Sequence, residues 1–354
     1  MALIVASVMP PTGRAAEKIY PGRTWQSKKP AEVGLNGKRL DALRDFLGGE
    51  GCVVRHGVMV YTWGDQAKRQ DVASAVKPLY THFLLQAIEE GKLAGLDELV
   101  VKRQPALGKI NADLGHPDRK ITFRHLATQT ACYGLTEPPG KAFVYNDWQM
   151  ALFFDTLFLK VYGATYENVD EKVLHARLTD PLGCQDNPTF LAFGSDRAGR
   201  YRTSVRDFAR FGLLYLREGN WKGKQLVSKK HAKMAVATPL PASLPRAKGK
   251  AAEMCPGQRS IGSRRIPDNQ CDHRGSYSFL WWTNGVDREG KRHWPDAPPD
   301  TYGAFGHGGV RAVVVLPKFD LVVSWNDTSI GKRKGNPEND AFKLLISALE
   351  KEKR

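Results

Sequence analysis

The sequence predicts an α+β protein, an α/β sandwich in which an antiparallel sheet is assembled from both ends of the chain and flanked by helices, with an all-helical segment inserted between. Three observations predict it. Strand-like runs fall before residue 64 and after residue 276, helical periodicity dominates the middle, and an amphipathic helix accompanies the strands at each end.

The elements follow in order. Asn36 to Leu47 carries apolar residues at helical spacing and stops at Gly48-Gly49. Two β-type runs, Cys52 to Arg55 and Val58 to Trp63, meet at His56-Gly57, a hairpin signal. A helix follows Ser74, because Leu79, Phe83 and Ala87 recur every four residues and Pro78 falls in the tolerated first turn. Thr122 to Thr128, Asp147 to Tyr162 and Val169 to Leu178 continue the helical pattern with no convincing strand between them. Ser204 opens another helix through a capping-box pattern ending at Asp207. Strands return at Tyr277 to Thr283, Arg311 to Leu316 and Leu321 to Trp325, and Asp340 to Leu349 closes the chain as a helix. The organisation expected is a sheet domain of residues 24–85 and 190–354, a helical domain of 86–189, and a long basic loop over 239–275, where proline, glycine and basic residues replace periodicity.

Composition bounds the function. The chain has 354 residues, 42% of them hydrophobic, enough for one large or two smaller domains. No apolar run reaches the about eighteen residues that span a bilayer; the longest, Met150 to Leu159, is broken by Asp155. Ala2 to Met9 is apolar and leads into Pro10 to Ala16, which resembles the end of a secretory signal, so residues 1–23 are expected to be a signal remnant or tail and the protein to be exported. The net charge of +16 is spread along the chain, consistent with a solvated basic surface, and no nucleic-acid motif accompanies it. Five cysteines are too few for a disulfide framework and lack zinc-site spacing, although Cys255 and Cys271 share one loop and could pair in an oxidising compartment. Nine histidines show no ligand spacing. Neither a metal nor a cofactor is expected.

Chemistry is concentrated at Ser74-Ala75-Val76-Lys77. A serine hydroxyl needs a base beside it to act as a nucleophile, and residues three apart on a helix share a face. Fourteen serines and 27 lysines in 354 residues would produce about one such spacing by chance (14 × 27/354), and two occur. The second, Ser329 to Lys332, runs into a polar turn, and a serine cap with a solvated lysine would look the same. Two further segments raise the standing of Ser74. Tyr145 and Asp147 lie where a turn after Pro139-Gly140 enters a helix, so a phenol there could take and return a proton. Tyr302 to Val310 holds four glycines around His307, a backbone able to pass close to a ligand and offer the N–H of Val310 to an oxyanion.

In this order the three segments resemble the serine β-lactamase and penicillin-binding protein superfamily, whose Ser-x-x-Lys element is well known. The resemblance is to its class C-like branch, which includes D-alanyl carboxypeptidases, family VIII esterases and 6-aminohexanoate-dimer hydrolases, and runs from about Trp25 to Leu349. Glu32 to Leu35, Asp71 to Ala73, Arg177 to Gly183 and Asp207 to Leu214 add to it. It implies a β-lactamase/transpeptidase-like fold. It makes Ser74 the acyl-accepting nucleophile, Lys77 and Tyr145 its proton partners, Ser74 and Val310 the oxyanion donors, and Asp147, His307, Gly308 and Gly309 substrate-binding residues. Two positions depart from the pattern. Asp147 stands where the family has asparagine, and His307-Gly308-Gly309 replaces Lys-Thr-Gly. An intact Tyr-x-Asn occurs at Tyr166-Glu167-Asn168, but after the helix it should precede. The expected activity is hydrolysis of a small ester or amide through an acyl-enzyme. The alternatives are a weak β-lactamase or D-alanyl carboxypeptidase, and a silent member binding cell-wall or other anionic polymer.

Overall fold

A computed structural model describes residues 18–192 and 197–350. Its centre is a seven-stranded antiparallel sheet in the order Val58–Trp63, Glu50–Arg55, Leu321–Asn326, Arg311–Leu316, Tyr302–Gly306, Trp281–Thr283, Tyr277–Ser278. The two ends of the chain meet where Glu50 pairs with Asn326 and Arg55 with Leu321.

Strand alternation divides the core in two. Val314 and Val323 face the helices Gly37–Leu47 and Pro337–Ser347, burying Leu40, Leu43, Phe342 and Leu345. Val313, Val315 and Val322 face the helices Lys77–Glu89 and Val205–Leu216, with Leu79, Phe83, Phe208 and Phe211. Each side chain of this size stabilises the fold by about 1.5–3 kcal/mol when fully buried. Gly212 lets the second pair close tightly. A Cβ there would stand 2.7 Å from Val313 Cγ2 and from Val322 Cγ1.

Ser204 caps its helix as expected, Oγ accepting from Asp207 N at 3.2 Å, and Asn36 Oδ1 caps the first helix by accepting from Arg39 N at 3.2 Å. The capping box itself is incomplete. The Asp207 carboxylate turns away to accept from the backbone of Gln185 and Asp186.

Several details differ from the sequence expectation. The run Tyr277 to Thr283 is two short strands folded on each other, because Phe279 and Leu280 adopt positive φ and reverse the chain. Tyr302–Gly306, the first part of the glycine-rich segment, is a strand that ends in the turn carrying His307. A second sheet of Gln70–Asp71, Ala198–Thr203 and Thr189–Ala192, absent from the sequence expectation, joins the two flanks of the helical segment. Ser74 does not begin an α-helix directly; it lies in a 3-10 turn, Ala73–Val76, and the α-helix starts at Lys77. Residues 1–17 of the expected signal lie outside the described residues. The end of that expected tail is packed on the body, with Tyr20 edge-on to Trp221 at 5.4 Å and its hydroxyl donating to Asn220. Cys255 and Cys271 are both free thiols. The loop 239–275 is irregular but docked, bridging to the helical region at Phe143–Arg246 and Leu135–Ala251.

Candidate active site

Ser74 is held by its preceding turn. Ala73 has φ +52°, a conformation that costs a non-glycine residue free energy, and Asp71 Oδ1 secures it by accepting from Ala73 N at 2.8 Å. Asp71 is fixed in turn by the Arg200 guanidinium, Nη2 to Oδ2 2.5 Å. On the other side the strand Tyr302–Gly306 abuts the turn so closely that a Cβ on Gly306 would lie 2.3 Å from Val72 O. Only glycine fits there.

Lys77 opens the following helix and folds back, Nζ donating to Ser74 Oγ at 2.9 Å. Its side chain is 2% exposed, and Nζ also lies 3.3 Å from Asp147 Oδ1 and 4.4 Å from the centre of the Tyr145 ring. Asn146 caps the next helix by accepting from Gln149 N, which delivers Asp147 at the helix start against Lys77. Ser263 N donates to Asp147 Oδ2 at 2.9 Å.

The electrostatics follow from this packing. Burial alone would lower the Lys77 pKa, but Tyr145 and the Asp147 carboxylate outweigh it and hold Lys77 above its usual value. Burial would raise Asp147, yet Lys77 and the Ser263 N–H hold it below the usual carboxylate value. Tyr145 is pushed up, chiefly by burial, against the pull of Lys77. The resting site therefore holds an ammonium, a carboxylate and a neutral phenol.

Ser74 and Tyr145 open into a cavity of about 800 Å³, which His307, Gly308 and Gly309 also line. His307 sits at φ +48° in the turn between the strands Tyr302–Gly306 and Arg311–Leu316, and its Nδ1 lies 3.0 Å from Arg311 Nη1. Burial and the nearby Arg311 and Arg200 cations keep its pKa below the ordinary histidine value, so at neutral pH it is an uncharged ring. Because Arg311 can only donate, Nδ1 accepts and Nε2 carries the hydrogen.

Of the residues expected to act, the structure brings together Ser74, Lys77, Tyr145, Asp147, His307, Gly308 and Gly309. Val310 is the exception. It does not line the cavity; its carbonyl is bound by Thr328, and the main chain beside the Ser74 turn is that of Gly306. Asp147 also differs from its expected part, since it meets Lys77 from behind and does not line the cavity. The second tyrosine motif is elsewhere, Tyr166 OH donating to Asp155 and Asn168 Oδ1 accepting from Thr165 N. Sequence reasoning missed Arg200, Ser263, Asp268 and Gln270. The last three lie in the aperiodic 239–275 loop, where nothing local marks them. Among the described residues no three His, Cys, Asp or Glu side chains gather as a metal site, and no helix is long and apolar enough to cross a membrane.

This arrangement of sheet and helices is the β-lactamase/transpeptidase fold. The Beta-lactamase family model matches residues 38–326, and the chain belongs to that family. Similar solved structures include a Bacteroides dorei protein provisionally described as a β-lactamase (15% identity, 89% of this chain and 99% of that one, TM-score 0.62). A Mycobacterium bovis β-lactamase matches at 18% identity over 88% and 99% of the two chains, TM-score 0.58. EstCE1, a hydrolase with promiscuous acyltransferase activity, matches at 15% identity over 87% and 98%, TM-score 0.59. No curated protein matches the sequence.

Proposed function

We propose that the chain is a serine hydrolase that cleaves a small ester or amide through an acyl-enzyme on Ser74. The observation that carries this reading is the 2.9 Å contact of Lys77 Nζ with Ser74 Oγ at the floor of a cavity shared with Tyr145. Lys77 first gives its resting proton to water; as the free amine it then accepts the Ser74 Oγ proton while Oγ bonds to the substrate carbonyl carbon and the carbonyl electron pair moves onto the oxygen. Tyr145, neutral at rest, gives a proton to the departing alkoxide or amine, and the carbon–oxygen or carbon–nitrogen bond breaks. Water then attacks the acyl-enzyme by the reverse proton path and frees Ser74. The Ser74 N–H and the main chain at the Gly306 edge flank the developing oxyanion, and Val310, past the turn, fits that part less well.

His307 favours a small ester or amide over a β-lactam or D-alanyl peptide. An uncharged imidazole replaces the fixed lysine charge that would hold a carboxylate. Labelling with a fluorophosphonate and locating the adduct by mass spectrometry tests the proposal. An adduct on Ser74, with turnover abolished in Ser74→Ala, is expected; no adduct there, or unchanged turnover, overturns it.

The Lys77–Asp147 pair favours a second reading, a catalytically silent member that binds anionic polymer through its basic surface, since a charged lysine is no base. Salt-sensitive polymer binding unaffected by Ser74→Ala, with no ester turnover, would favour it. Export completes the proposal, on the apolar run ahead of Pro10, and cell fractionation checks it.

A further inference from the structure

Gln270 lines the same cavity as Ser74 and Tyr145. Its backbone N–H donates to Tyr145 O at 3.0 Å, which ties it to the loop that presents the phenol. Its Nε2 lies 3.4 Å from Asp147 Oδ2 and 3.2 Å from Asp268 Oδ2. Asp268 Oδ2 also accepts from Asp147 N at 3.2 Å, so the second carboxyl is itself held in place.

A primary amide has two N–H donors and one carbonyl acceptor. Two carboxyl oxygens beside the nitrogen dictate which way this amide faces, and together they occupy both of its donors. Oε1 is what remains, and among the described residues no donor reaches it. Asp147 offers the cavity nothing in its place, being engaged with Lys77 through one oxygen and with Ser263 through the other.

We propose that Gln270 Oε1 is a substrate-binding acceptor that takes a hydrogen bond from an N–H group close to the scissile carbonyl. The substrate class is therefore acyl compounds bearing a secondary amide within a few bonds of the reacting carbon. This deepens the acyl-enzyme reading and rests on it. Around Asp147 the carboxylate holds the lysine, and the Gln270 amide from the loop, presenting its oxygen, meets the substrate.

The test uses two activated aryl esters identical except that the amide N–H of one is N-methyl in the other, with a third in which it is CH₂. For the wild-type protein, kcat/KM for the N–H ester should exceed that for both analogues by about threefold to tenfold, the effect of one neutral hydrogen bond. In Gln270→Met, which keeps the length and removes the acceptor, the ratio should fall to about one. Because each ratio is internal to one variant, a partial loss of folded protein cancels; Gln270→Asn, which withdraws the oxygen, is the second variant. A Ser74 that takes a fluorophosphonate but turns over all three esters equally overturns the inference alone, as does a preference that survives in Gln270→Met. Failure of Ser74 to label overturns the reading beneath it.

Discussion

Lys77 and Asp147 form a buried ion pair, Nζ to Oδ1 3.3 Å, with the lysine side chain 2% exposed and the aspartate 12%. The pair explains how a charged ammonium is held buried beside the nucleophile. It also sets the resting proton inventory of the site.

Removing one partner should therefore cost more than removing charge from a surface. Lys77→Met leaves the Asp147 carboxylate buried without its cation, and the loss expected is about 3–5 kcal/mol. Urea unfolding at pH 7 measures it. Asp147→Asn, which leaves an amide able to accept from Lys77, should cost clearly less.

The same pair makes stability depend on pH in a calculable direction. Asp147 has a depressed folded pKa, so its contribution is present above the unfolded carboxylate value of 3.8 and is lost as pH falls through the lower folded value. Lys77 has a raised folded pKa, so its contribution is complete below 10.5 and is lost as pH rises through the folded value. Acidification below pH 4 should cost the wild type more than Asp147→Asn, read from unfolding midpoints of the two proteins across that range. Equal losses would contradict the pairing.

For the chemistry the sign reverses. Tyr145 and Asp147 together hold Lys77 protonated against burial, the largest single influence, so removing the Asp147 charge moves the lysine pKa down from its wild-type value. In Asp147→Asn the alkaline rise of Ser74 labelling should move to lower pH, and labelling near neutrality should become faster. A pH profile of fluorophosphonate labelling gives the answer.

Gly306→Ala should damage the site more than the fold. Its Cβ would meet Val72 O at 2.3 Å, and the nucleophile turn must move to relieve the contact. A displacement of about 1 Å at a catalytic group can cost 10²-fold in rate, so a loss of that order is expected. Labelling rate and melting temperature, measured together, separate the two effects.

All five cysteines are free, and Cys271, which lines the cavity, has a thiol pushed up to about 12 by burial. Thiol titration should count five groups in the unfolded protein without reductant. Slow reaction of Cys271 in the folded protein at pH 8 should accompany that count.

Legible in the sequence were the sheet built from the two chain ends, the terminal helices and the partnership of Ser74 with Lys77. These rest on patterns that are local or that repeat: the β-branched run Arg311 to Leu316, helical spacing that stops at Gly48-Gly49, a three-residue spacing on one helical turn. Tyr145 and His307 were legible because each sits in a segment with its own turn chemistry. Tertiary structure alone decided the rest. That Tyr302–Gly306 is a strand pressed against the Ser74 turn is one such case: at Gly306 the approach of Val72 O leaves room for nothing larger than glycine. Ser263, Asp268 and Gln270 carry no local signal, since their parts depend on how the 239–275 loop folds back over Asp147. Whether Lys77 rests as an ammonium or an amine was open in the sequence. It is decided by the balance of burial against Tyr145 and a carboxylate 70 positions away (147 − 77), and only the folded chain brings Lys77 and Asp147 within 3.3 Å.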